Sequence, residues 1–216
     1  MAKESSERSV EWPTIGMLVL CYSAFYIATV ILPPISLIIA TLILSIAIAL
    51  HSSLQHEVLH GHPFATKRLS EATIFPAIGL FLPYLRFRDT HLAHHRDPNL
   101  TDPYDDPETN YLDPRVWAKL PRMAQTVLHF NNTLLGRILI GPVIGQCAFM
   151  AGDWHAHRAG DKSIARAWGV HALGAVPVLI YVAFAPVTLV NLLFATYIAM
   201  AILRIRTFLE HQAHEK

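Results

Sequence analysis

Long unbroken apolar runs, rather than the narrow stripes of a soluble amphipathic helix, set the pattern of this chain. The first runs from Ile15 to Leu32 and stops at Pro33-Pro34, which predicts a helix over about Thr14 to Leu32. A second helix begins near Ile35. Ser36 to Leu50 carry no charge, and no breaker appears through His51 to His60 until Gly61 and Pro63. These twenty-six residues, at about 1.5 Å each, make roughly 39 Å of helix, more than the ~30 Å hydrocarbon core of a bilayer. The last two turns then stand outside the membrane, and they carry His56 and His60.

Ala72 to Leu85 is apolar but contains Pro76, Gly79 and Pro83. It is too short and too broken to span, which predicts a re-entrant or interfacial segment. Such a segment returns the chain to the side it left, placing His91, His94 and His95 beside His56 and His60. From Arg96 to Asn132 the sequence is soluble in character, beginning with an acidic, proline-punctuated loop. Leu134 to Met150 is apolar with Arg137 near its start and Pro142 inside, and its pattern leaves open whether it spans. Gly152 to Trp168 is polar. Gly169 to Ala185 and Val187 to Leu203 form a second hairpin about Pro186, and the last helix runs on through Arg204 and Arg206 to Glu210-His211. The expected architecture is a single all-α integral membrane domain over 1–216, with about four transmembrane helices in two hairpins plus interfacial or re-entrant helices.

Composition agrees. The chain is 53% hydrophobic and 15% charged, against about 25% charged in soluble domains. A net charge of +1 gives no reason to expect nucleic-acid binding. Cys21 and Cys147 lie in apolar stretches and suggest neither a disulfide framework nor a cysteine zinc site. All 17 Lys and Arg lie outside the two hairpin turns. The positive-inside rule then makes the basic side cytoplasmic, with both termini and every histidine cluster on it, provided Leu134 to Met150 stays interfacial.

The compositional outlier is histidine, at thirteen residues. Three clusters stand out: His56 and His60; His91, His94 and His95; and His211 and His214. Spacings of three and four residues put imidazoles on one helical face, and neutral imidazole is the commonest protein metal ligand. His56-Glu57-Val58-Leu59-His60 also fits H-E-x-x-H, the pattern of a zinc metallopeptidase with Glu57 as general base. That site leaves the other two clusters without a role. A metal transporter would place ionisable ligands near the middle of the spans, where this chain has almost none. A two-metal site uses all three clusters, because imidazole suits iron and many ligands need several converging helix ends.

With their placement at helix ends, these clusters resemble the histidine boxes of the membrane fatty acid desaturase and hydroxylase superfamily. His56 to His60 followed by Gly61-His62-Pro63 resembles the first box, and His91-Leu92-Ala93-His94-His95 the second. The runs Leu100-Thr101-Asp102-Pro103 and Asp106-Pro107-Glu108 resemble the stretch after that box in bacterial members, and Arg206 to His214 the ligand-bearing end of the last helix. The resemblance implies His56, His60, His91, His94, His95, His211 and His214 as ligands to two iron ions. Glu57, His62, Asp102 and Asp106 are expected to support them. His51 is left open between ligand and support, and His129, His155, His157 and His171 are expected to be structural or solvated.

The same resemblance implies a membrane-bound oxygenase, in a bacterial inner membrane, that desaturates or hydroxylates a lipid acyl chain. It would use O2 and electrons from a ferredoxin or cytochrome-type donor. One departure stands against it: the family's last H-x-x-H-H box is missing downstream of the final helix, and His155-Ala156-His157 has the wrong spacing to replace it. The expectation from that departure is a product lacking its C-terminal part; a chain ending naturally at Lys216 would hold an incomplete iron site with little desaturation.

Overall fold

In the computed structural model, described over residues 10–94 and 112–210, all regular structure is helical. The ten α-helices are α1 (Trp12–Tyr26), α2 (Leu37–Leu59), α3 (Lys67–Thr73), α4 (Tyr84–His94), α5 (Pro114–Lys119), α6 (Arg122–Asn131), α7 (Leu134–Leu139), α8 (Gly141–Arg158), α9 (Lys162–Phe184) and α10 (Leu189–Glu210). A π-turn over Ile27–Ile31 extends α1. The chain falls into two compact units, Met1–Leu80 with Gly169–Ala199 and Phe81–Trp168 with Met200–Lys216.

Trp12–Ile31, Leu37–Leu59 and Lys162–Phe184 are long and apolar enough to cross a membrane, while Leu189–Ile205 is a shorter apolar helix. The four expected runs are therefore all helical. Many large apolar side chains face outward, Val19, Ile38, Phe184 and Val190 among them; hydrocarbon is the solvent that suits them. In the first unit an open groove of about 810 Å³ runs along α1 from Ile15 to Ile27, walled by Phe64 and Thr73. Without a hydrophobic drive between helices in lipid, close packing needs small residues at the contacts. Cys21 and Ala28 at the first helix, Ala40 and Ala47 on α2, and Ala195 and Ala199 on α10 are all fully buried. Polar groups stitch the helices: Cys21 Sγ donates to the Ala47 carbonyl at 3.3 Å, and Asn191 Nδ2 to Thr41 Oγ1 at 3.1 Å. Thr29 and Tyr181 pair through their hydroxyls at 2.7 Å.

The hairpin ends are held the same way. The π-turn bonds the Leu32 N–H to the Ile27 carbonyl at 2.9 Å, and the Thr29 carbonyl accepts the Val187 N–H at 3.1 Å. Ser36 caps α2 by accepting the Ile39 N–H. At its other end α2 stops at Leu59, with His60 as C-cap and Gly61 at φ 100°, the left-handed conformation that ends helices cheaply.

The segment expected to be re-entrant begins with the end of α3 and continues without regular structure over 74–83. Ile74, Ala77 and Ile78 in it are buried. Two of its backbone groups are bonded by α9: the Ala77 N–H donates to the Gly174 carbonyl at 3.2 Å, and His171 Nε2 meets the Leu80 carbonyl at 2.6 Å. Leu80 adopts φ 61°, rare for a residue with a Cβ. Gly174 is required here, because a Cβ would lie 2.3 Å from the Phe75 carbonyl oxygen. Pro177, one turn on, interrupts the α9 ladder beside this contact.

In the second unit the run 134–150 is not one helix. It breaks at Ile140 (φ −124°), with six-residue α7 before it and α8 opening on Gly141-Pro142 after it. Proline is tolerated in the first turn, where its missing N–H would be unsatisfied in any case. The region expected to be soluble contains α5 and α6 among its described residues.

The Gly174 contact yields a paired test. Gly174→Ala is expected to destabilise the protein by about 1–3 kcal/mol through overpacking. Gly169→Ala on the same helix, where a Cβ meets nothing within 4 Å, is expected to be neutral or to gain up to about 1 kcal/mol. Thermal unfolding of the two variants in detergent measures both.

Candidate functional site

Helix α2 continues two turns beyond its uncharged stretch because nothing in Ser52 to Leu59 stops it, and this rigid end carries the first histidine pair. The rings of His56 and His60 lie with centroids 4.7 Å apart at 63°. His56 is part-buried, whereas His60 is exposed. Glu57 Oε1 lies 3.5 Å from His56 Nδ1. A carboxylate there favours the Nδ1–H tautomer and turns Nε2 into the donor nitrogen.

The chain leaving α2 is clamped to the start of α1. Glu11 Oε2 contacts His62 Nδ1 at 2.5 Å, and the Glu11 N–H donates to the Pro63 carbonyl at 3.1 Å. His62 thus holds the segment after the pair in place. His51, left open by the sequence, is buried at 2% exposure and meets the Tyr22 hydroxyl at 3.3 Å. That hydroxyl spends its proton on the Thr73 carbonyl at 2.6 Å, so the His51–Tyr22 bond requires the proton on His51 Nε2. Tyr22, bonded to both His51 and Thr73, ties α1, α2 and the end of α3 together.

In the second unit, α4 carries His91, part-buried, with its ring 5.5 Å from that of Phe87. The Thr90 hydroxyl turns back to the Arg86 carbonyl at 2.9 Å. The helix is anchored through Arg86, whose Nε and second guanidinium nitrogen reach Asp153 Oδ1 at 2.9 and 2.8 Å. The other oxygen of Asp153 accepts the Trp168 indole N–H at 2.7 Å. Asp153 on α8 is 4% exposed, so the carboxylate is fully enclosed and both of its oxygens are bonded. The sequence reading missed this network. The available signal was an acidic residue following twelve uncharged ones from Gly141 to Gly152.

Of the sequence-predicted residues, the structure brings together His56, His60 and Glu57 at the end of α2, and His62 with Glu11. His94 ends α4, its side chain outside the described residues. His95, Asp102, Asp106, His211 and His214 also lie outside the described residues. His129, His155 and His157 are exposed, and His171 binds the Leu80 carbonyl.

A family model described as Fatty acid desaturase matches residues 28–216. Comparison with curated proteins and with solved structures found no match.

The ion pair generates a second test. Removing one member of a buried pair costs about 3–5 kcal/mol, because the other charge stays enclosed without compensation. Asp153→Ala is expected to fall in that range by unfolding in detergent, and Arg86→Met with Asp153→Leu to recover most of it. A loss in the double variant as large as the sum of the separate Arg86→Met and Asp153→Leu losses would show that the two side chains do not act as a pair.

Proposed function

This chain belongs to the fatty acid desaturase family, a family of oxidoreductases, and from that premise we propose that it is a di-iron oxygenase acting on lipid acyl chains in a membrane. The observation that carries the reading is the family match over 28–216 combined with an imidazole pair at the end of a membrane-length helix. The donor set fits the group: imidazoles at adjacent helical turns suit iron, and the pair has a carboxylate beside it. The proposed ligands are His56, His60, His91, His94, His95, His211 and His214. Two irons held by them would activate O2 for removal of hydrogen from an unactivated C–H bond.

The protein's own residues do the rest. Glu57 sets the His56 tautomer, the Glu11–His62 contact fixes the chain leaving α2, and Arg86 with Asp153 fixes the helix that bears His91. Asp102 and Asp106 are proposed to orient imidazoles. Apolar helices receive the acyl chain and keep water from it. Electrons come from a ferredoxin or cytochrome-type donor, and the site faces the cytoplasm of a bacterial inner membrane, in keeping with the basic residues lying outside the hairpin turns. The zinc-peptidase reading of His56-Glu57-Val58-Leu59-His60 finds no support in the family match.

Elemental analysis of protein purified in detergent tests the reading, together with the lipid profile of cells expressing it. Two irons per chain and a new unsaturated or hydroxylated acyl product are expected. Zinc without iron would sink it. His60→Ala and His91→Ala are each expected to abolish product and lower bound iron, whereas Glu57→Gln is expected to weaken iron binding or turnover by about 10–100-fold.

A further inference from the structure

The second unit carries an apolar stripe that neither its fold nor the proposed reaction uses. Helix α6 has three faces. Ala124, Gln125, Leu128 and Asn131 turn inward, part-buried or buried. Arg122, Thr126 and His129 form an exposed polar row. Beside it Met123, Val127 and Phe130, at i, i+4 and i+7, form an exposed apolar row, 81%, 42% and 37% accessible. Helix α5 is fastened to α6, because the Gln125 side-chain amide donates to the Trp117 carbonyl at 2.9 Å and the Leu120 carbonyl at 3.2 Å. It adds exposed Val116 beside exposed Arg115 and Lys119.

Charge identifies the occupant. Over residues 112–131 the basic residues are Arg115, Lys119 and Arg122, and the one acidic residue is Asp113. The Asp113 carboxylate is already engaged by the Arg115 and Val116 N–H groups at the start of α5. A second copy of the chain is a poor fit, because three side chains fall far short of the roughly 800 Å² per partner that a stable protein interface buries. A helix with adjacent apolar and basic rows, in a protein that spans a bilayer, has the character of an interfacial helix.

We propose that α5 and α6 form an interfacial anchor, with Met123, Val127 and Phe130 below the headgroups and Arg115, Lys119 and Arg122 on anionic lipid. This inference goes beyond the proposed reaction and stands without it. Through α7 and α8 the anchor continues to Asp153, which holds the helix bearing His91. The lipid surface thereby helps set the height of that helix.

Spin labels placed singly at residues 122, 123, 126, 127, 129 and 130 test this in the full chain, with exposed Cys147 changed to Ser and buried Cys21 retained. The protein is reconstituted into phosphatidylcholine vesicles with and without phosphatidylglycerol. At 123, 127 and 130 oxygen is expected to outcompete a water-soluble nickel complex several-fold, with depths of about 5–10 Å. Labels at 122, 126 and 129 are expected to favour nickel. Phosphatidylglycerol is expected to deepen the apolar row, and Arg115→Gln, Lys119→Gln and Arg122→Gln together to remove that response. Nickel access at all six positions overturns the anchor, and equal depth in both lipids overturns its anionic preference. Dipolar broadening at 123, 127 and 130 that disappears on dilution with unlabelled protein would assign the row to a second copy and overturn it too.

Discussion

Hydrocarbon offers no hydrogen bonds, so every backbone N–H and C=O at membrane depth must find its partner inside the protein. Much of the first unit is a consequence of that constraint. It keeps α2 continuous over 23 residues, since each break would orphan groups that lipid cannot satisfy. It also explains the irregular stretch after α3. A chain lacking regular structure at that position needs outside donors and acceptors, and α9 supplies them at Gly174 and His171. The same rule accounts for the bond between the Thr29 carbonyl and the Val187 N–H.

A helix kept intact by this constraint can end only where water is available to its last carbonyls, or where a cap replaces water. Helix α2 ends with His60 as cap and Gly61 in the left-handed region. Its last turns are therefore both rigid, because the helix below them cannot fray into lipid, and accessible. Imidazoles on such an end are held by the whole span rather than by local contacts. The polar chemistry at the end of α2 is thus a by-product of the span's apolar continuity.

This is also why that part of the molecule was legible in the sequence. An uncharged stretch followed without a breaker by His56 and His60 predicts the helix and the position of the pair at once. The turns at Pro33-Pro34 and Pro186 were legible for the same reason. The run 134–150 was not, because apolar composition does not report the break at Ile140 that separates α7 from α8. His51 was ambiguous because its partner, Tyr22, is 29 residues away. The Arg86–Asp153 pair joins residues 67 apart, and no local spacing encodes such a pairing. The amphipathic row on α6 lay within a region of mixed polarity, where the short helical period was masked by flanking prolines and charges.

The two histidine-bearing helices are consequently held by different physics. Burial of small and apolar residues along α2 is spread over many contacts, each weak, so no single polar group decides its position. Helix α4 is mostly polar, and its anchor is one guanidinium on one enclosed carboxylate with an indole N–H completing the set. Such an arrangement returns little net stability, because desolvating both charges consumes most of what their attraction supplies. What it provides is direction: Trp168 occupies Oδ2 and leaves Oδ1 to Arg86, so the guanidinium has one place to sit. A hydrophobic replacement could match the pair in stability, but its contacts are non-directional. The buried charge on Asp153 is therefore better explained by the orientation it imposes on α4, and through it on His91, than by the free energy it adds.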